Sequence, residues 1–354
     1  MNLDDYKAFA QIDKQDMISQ INGLPAQLQS AWDLGQCLEL PDWSDIQNIV
    51  IAGMGGSAIG ADLLAAYISP VCRIPVFLHR DYGLPAWANG SQTLVITSSH
   101  SGNTEETLSA FDQALSNECR CLSISTGGLL AERATDLGLP LWRFEHEGQP
   151  RAAVGFSFGL LLALFSRLEV IPDPVNELEN AVINLNRQQE KLMPDIHTVQ
   201  NSAKRLAGQE VGRWVTVIGS GVLAPVARRW KGQVSEIAKA WAQFEFLPEL
   251  DHNTLAGIEN PEQVLNQQMV LFLRSSSDHP RNQIRSDLTR KIFMLEGLGT
   301  DEVYAVGETR MAQQWTCLHF GDYVAYYLAM AYGVDPTPVA AIEGFKRELG
   351  SVGG

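Results

Sequence analysis

One local pattern occurs twice in this chain: a short apolar run, a glycine turn, and a helix-forming stretch that starts at once. The first copy is I-V-I-A-G-M-G-G-S-A-I-G-A-D-L-L from Ile49, and the second is W-V-T-V-I-G-S-G-V-L-A-P-V-A-R-R-W from Trp214 to Trp230. A strand delivered through glycine into a helix is the opening unit of a doubly wound α/β domain. Further strand-like runs follow each copy, at Ile74–His79, Thr93–Ser99 and Arg120–Ser125, then at Gln268–Arg274 and Thr300–Val306. Their nearly unbroken apolarity fits strands buried on both faces, hence parallel sheets. The expectation is α/β: two tandem doubly wound parallel-sheet domains related by internal duplication.

The length of 354 residues accommodates two domains at ~100–200 residues each. The boundaries expected from the pattern are a helical segment at 1–45, a first α/β domain at 46–165, a helical connector at 166–208 and a second α/β domain at 209–354. The final stretch reads as two helices interrupted at V-D-P-T-P, because Pro336 and Pro338 break a helix. Twenty-six basic against 41 acidic residues give a net charge of −15. This balance argues against nucleic acid or an anionic membrane as partner, since both are bound through basic surface. It leaves room for a small anion held by backbone N–H groups and an arginine. The five cysteines show no C-x-x-C pair and no histidine at metal-ligand spacing, so they read as reduced and structural. The acidic start lacks a signal peptide's basic and apolar regions, and the longest apolar stretches are too short to span a bilayer. The expected protein is cytoplasmic, with no metal and no cofactor.

Gly53 to Gly60 reads G-M-G-G-S-A-I-G. As a dinucleotide fingerprint it would need an acidic residue ending the next strand, but that run ends His79-Arg80-Asp81. The lysine of a P-loop is missing as well. Ser57 sits at the start of the helix, either as an N-cap or as a ligand to an anion. The Thr93–Ser99 run leads into Ser99-His100-Ser101-Gly102-Asn103-Thr104-Glu105. Ser99, Ser101 and Thr104 can point three hydroxyls into one concavity suited to a phosphate monoester, or serve as a capping box with Glu105. Both readings use the same free N–H groups.

S-x-S-G-N-T-x-E-T after an apolar strand, with G-M-G-G-S-A-I-G upstream, resembles the phosphosugar loops of the sugar isomerase (SIS) superfamily. W-K-G-Q-V-S-E-I-A-K (Trp230–Lys239), F-L-P-E-L-D-H-N (Phe246–Asn253) and G-V-D-P-T-P-V-A-A-I-E-G-F-K (Gly333–Lys346) narrow the likeness to the bifunctional phosphoglucose/phosphomannose isomerase family. The resemblance spans about Ile46 to Leu349. It implies two SIS domains and interconversion of glucose 6-phosphate, and of mannose 6-phosphate, with fructose 6-phosphate. Phosphate contacts would fall on Gly56, Ser57, Ser99, Ser101 and Thr104, with Arg151 from the P-R-A-A stretch. Glu236 would be the catalytic base. His252 would open the sugar ring from across a homodimer interface, and Lys346 would complete the set. His100 stands where tyrosine is common, Ser235 and Ile237 replace two asparagines beside the base, and Thr254 replaces a glutamate. These departures bear on substrate preference and rate.

The chemistry asks for these residue types. Aldose–ketose exchange opens the ring, removes the carbon 2 proton and returns it to carbon 1 through a cis-enediol. One carboxylate over both carbons can move the proton, a histidine titrates in the range suited to ring opening, and a lysine can steady the enediolate. Thr337, close to Lys346 in sequence, is a candidate helper at carbon 2. Viewed alone, Glu236 is a helix-surface acid within reach of Lys239 or Lys231, His252 a loop histidine, and Lys346 a solvated charge. Arg228-Arg229 reads as a solvated helix face, and the histidines other than His252 as structural. An amino-sugar phosphate isomerase or a non-catalytic phosphosugar sensor are the alternatives. The chain begins with no cysteine nucleophile of a glutaminase, and a sensor would need only the phosphate loops.

Overall fold

The computed structural model describes residues 2–352. Helices α1 (Met17–Asn22) and α2 (Leu24–Cys37) precede a sheet of β1 (Asn48–Gly53), β2 (Val76–His79), β3 (Thr93–Ser99), β4 (Arg120–Ser125) and β5 (Leu141–Arg143). Its helices are α3 (Gly55–Ile68), α4 (Glu105–Ser116) and α5 (Gly128–Asp136). Three helices then run on, α6 (Val154–Arg167), α7 (Val175–Gln189) and α8 (Ser202–Glu210). The second sheet comprises β6 (Trp214–Ser220), β7 (Ala242–Leu247), β8 (Gln268–Arg274) and β9 (Gly299–Tyr304), with α9 (Ala224–Glu236), α10 (Glu262–Leu265) and α11 (Pro280–Leu295). Helices α12 (Arg310–Tyr332) and α13 (Ala340–Val352) close the chain, separated at the proline-rich break.

Strand orders are β2-β1-β3-β4-β5 and β7-β6-β8-β9, and every pairing is parallel. In both sheets the glycine-turn strand lies inside, between the next two strands in sequence. The duplication extends to the backbone. Met54 and Ser220 are extended, with ψ 160 in both, and the next residues, Gly55 and Gly221, have φ of +50 and +51. A side chain at either glycine would strain that left-handed conformation.

Strands β5 and β7 were not among the expected runs. The first is three residues long. The second, A-Q-F-E-F-L, is a sheet edge whose middle residues are only partly enclosed, so its apolar signal alternates. One large core joins both sheets, with α12 at its centre carrying fully buried Trp315, Tyr323 and Tyr327. The helix is enclosed along nearly its whole length, with its buried polar residues, Asp322 among them, hydrogen-bonded to neighbouring elements. No helix among the described residues is long and apolar enough to cross a membrane.

Candidate active site

The carboxyl ends of β1 and β3 deliver two loops to one place, where open α/β sheets bind ligands. Helix α3 starts after Met54, and no side chain caps it. Ser57, expected as a possible N-cap, instead lies inside the first turn, buried, and its hydroxyl accepts the backbone N–H of His100 at 3.2 Å. Thr104 occupies the cap position of α4 without capping it. Its hydroxyl bonds Ser99 Oγ at 2.9 Å, which also accepts the Gly102 N–H at 3.0 Å. Ser101 is exposed and accepts the Asn103 N–H at 3.2 Å. The capping-box alternative therefore does not hold, because the hydroxyls bond one another and the loop. Two helix starts, at the carboxyl ends of the neighbouring strands β1 and β3, are left without side-chain caps and present positive dipole ends.

The duplicate loop in the second half is built otherwise. With Gly53 matched to Gly219, the registers of Ala52 with Thr97 and Ile218 with Phe272 put Leu223, Arg274 and His279 at the places of Ser57, Ser99 and Thr104. Arg274 is tied to Asp287 and Glu302, and His279 caps α11 through Arg281 N–H. In the first half both loop helices start without a side-chain cap, whereas in the second His279 caps α11.

Gly56 allows the nest to meet the next group. A β-carbon there would lie 2.5 Å from the Pro150 carbonyl oxygen, so glycine lets the 3-10 turn Pro150–Ala152 press on α3. Arg151 on that turn is 4% exposed, donates to the carbonyls of Pro336 and Thr337, and reaches Glu236 Oε2 at 3.6 Å. Glu236 ends α9 and is one-third exposed, at 35%. Burial pulls the Arg151 guanidinium below its ordinary range while Glu236 opposes this. Both line a cleft of about 360 Å³ with Gly55, Gly56, Gln233 and Phe244. A larger hollow of about 520 Å³ between α7, α8 and β9 contains none of the residues singled out from the sequence.

Several neighbours were not singled out. Lys239, held at φ 55, donates to the carbonyls of Glu236 at 2.6 Å and Pro336 at 3.2 Å. Burial, then Arg151, pushes its ammonium down to about 8. The signal was its place in S-E-I-A-K, where it was read only as a surface partner for Glu236. Arg229, read as part of a solvated face, is buried. It pairs with Asp322 at 2.8 Å and donates to the Arg151 carbonyl at 2.8 Å, while Gln233 bonds the same aspartate. His146, left as structural, meets His100 ring to ring, Nδ1 to Nε2 at 3.0 Å, beside the hydroxyl loop. Burial, then His146, holds His100 down to about 4, and burial also lowers His146.

His252 and Lys346 are both exposed, the first on the 3-10 turn Glu249–His252 and the second on α13. Within one chain neither is brought to Glu236 by a hydrogen bond or ion pair among the described residues. Helix α13 does pass near the cleft, since its Glu343 acts electrostatically on Arg151. Among the described residues no group of three His, Cys, Asp or Glu side chains is placed to hold a metal ion.

The family profile of the bacterial phospho-glucose isomerase C-terminal SIS domain matches residues 199–349. The bifunctional phosphoglucose/phosphomannose isomerase of Caldicellulosiruptor bescii is 39% identical over 95% of this chain and 99% of its own. The chain belongs to the bifunctional phosphoglucose/phosphomannose isomerase family. The Aquifex aeolicus member is 35% identical over 87% of this chain and 94% of its own. A glucose-6-phosphate isomerase-like protein of Thermus thermophilus shares the fold, with TM-score 0.63 at 18% identity over 97% of this chain and 99% of that one. Family membership accounts for the motif order noted in the sequence, from the hydroxyl loop after β3 to the V-D-P-T-P break before α13.

Proposed function

We propose that this protein interconverts glucose 6-phosphate and mannose 6-phosphate with fructose 6-phosphate by proton transfer through a cis-enediol, with no metal or cofactor. The observation that carries the reading is the 3.6 Å approach of Arg151 Nη1 to Glu236 Oε2 in the cleft beside Gly56. The substrate phosphate sits on the first-half nest, held by Gly56, Ser57, Ser99, Ser101 and Thr104, and fixes the far end of the sugar. Glu236 takes the carbon 2 proton and returns it to carbon 1. Arg151, which the resemblance groups with the phosphate contacts, is assigned a different part because it reaches Glu236: a permanent cation, it stabilises the negative oxygen of the enediolate.

Because the carbonyls of Pro336 and Thr337 accept from Arg151, the proline-rich break is fixed to the catalytic cleft. Thr337 Oγ1 is buried with no hydrogen-bond partner, which suits a hydroxyl that positions the carbon 1–carbon 2 bond for the mannose reaction. His252 of a second copy opens the ring in a homodimer, and Lys346 steadies the enediolate. Their exposure in the single chain supports completion of the site by association. The five free cysteines suit a reducing cytoplasm.

The test is a coupled assay in EDTA, following fructose 6-phosphate formed from glucose 6-phosphate and mannose 6-phosphate in parallel. Turnover of both is expected. Turnover of neither, with binding of both retained, would move the function to an amino-sugar phosphate or to sensing.

A further inference from the structure

We infer that the cleft beside Glu236 contains a second anion subsite, formed by Arg80 and Arg228, which takes sugar ligands bearing two anionic groups, hexose bisphosphates above all. Arg80, just past β2, donates to the Ala58 carbonyl at 3.1 Å and to Asp62 Oδ2. Arg228, on α9, donates to that same oxygen at 3.0 Å. Two guanidinium groups therefore share one carboxylate, leaving positive charge unbalanced and N–H groups to spare. Arg228 is braced over the Phe244 ring at 5.1 Å, which fixes its direction. Lys231, half-buried on the same wall, has no hydrogen-bond or ion-pair partner among the described residues. The cleft is lined by five cations and two carboxylates in a chain whose net charge is −15. Of those cations only Arg229 is neutralised elsewhere, by Asp322.

Placement explains the preference for two charges. Strands β2 and β3 flank β1, so Arg80 and the hydroxyl loop lie on opposite sides of the Gly55–Gly56 turn. A sugar crossing the turn presents one phosphate to Ser99, Ser101 and Thr104 and a second acid to Arg80 and Arg228. Arg80 comes from the first half of the chain and Arg228 from the second, so the subsite exists only where the halves meet. A ketose phosphorylated on its carbon 1 oxygen cannot become the free aldose, so it acts as a competitive inhibitor.

The inference rests on the isomerase reading for the position of the first phosphate. Its test is calorimetric binding of fructose 1,6-bisphosphate and fructose 6-phosphate to the full-length protein and to the Arg80→Gln and Arg228→Gln variants, which alter different elements. The bisphosphate is expected to bind the parent at least about tenfold more tightly, and that ratio should fall toward unity in each variant. Equal affinities in the parent, or a preference that survives both substitutions, would overturn the subsite. If the monophosphate neither binds nor turns over while bisphosphate binding depends on Arg228, the isomerase reading fails and the subsite stands.

Discussion

Arg151 and Glu236 are related by more than proximity. The arginine is held from three directions, by two carbonyls of the proline-rich break and by the carboxylate, and its own carbonyl is held by Arg229. Such a group costs no reorganisation when charge develops beside it. Glu210 is the opposite case, an acid enclosed completely, with neither carboxyl oxygen bonded. Burial pushes it up to about 8 from an ordinary 4.5. Between those pH values the unfolded chain releases the proton while the folded chain keeps it, so stability falls as pH rises through this window and levels above about 8. Glu210→Gln removes this slope. Thermal unfolding at pH 5, 7 and 9 should show the parent losing stability relative to the variant, and parallel profiles would contradict the assignment.

At the scale of elements, the deciding feature is the pair of helix starts at α3 and α4, which leave N–H groups without side-chain caps. Helix α13 is the other informative element, since none of its residues is buried. Ending the chain at Val339 should shift Tm by less than about 2 °C. It should lower kcat at least about tenfold by removing Lys346. A large fall in Tm, or unchanged turnover, would contradict this role. Apolar runs revealed β1, β3, β4 and β8 because both faces of those strands are covered. They also revealed the partly exposed edges β2 and β9, but missed β7, whose run is interrupted by Gln243 and Glu245, and β5, too short to show a period. The capping readings of Ser57 and of Ser101 to Thr104 failed because residues distant in sequence, or across the loop, took up the hydroxyls. Lys239 was underread because its contacts depend on the left-handed turn after α9. Motif resemblance pointed to Arg151 and Glu236, and packing brings them together, whereas His252 and Lys346 remain on the surface of a single chain.

Across the whole molecule, the buried set Arg229, Asp322 and Gln233 ties α9 to α12 and, through the Arg151 carbonyl, to the turn after the first sheet. Asp322→Ala leaves Arg229 charged and enclosed, and should lower the unfolding free energy by about 3–5 kcal/mol in urea titration. A loss below about 1 kcal/mol would mean the set is solvated. Association can be tested by mixing. Glu236→Gln and His252→Ala, each inactive alone, should recover about a quarter of parental activity when subunits exchange at equal concentration, since half the dimers then carry one intact site of two. No recovery after confirmed exchange would place His252 in its own chain's site. The central claim is that Glu236 carries the proton, and the most direct measurement compares Glu236→Gln with the parent for fructose 6-phosphate turnover and for binding. Turnover should fall at least about 10³-fold while the dissociation constant changes by less than about threefold. Near-parental turnover in the variant would contradict the account.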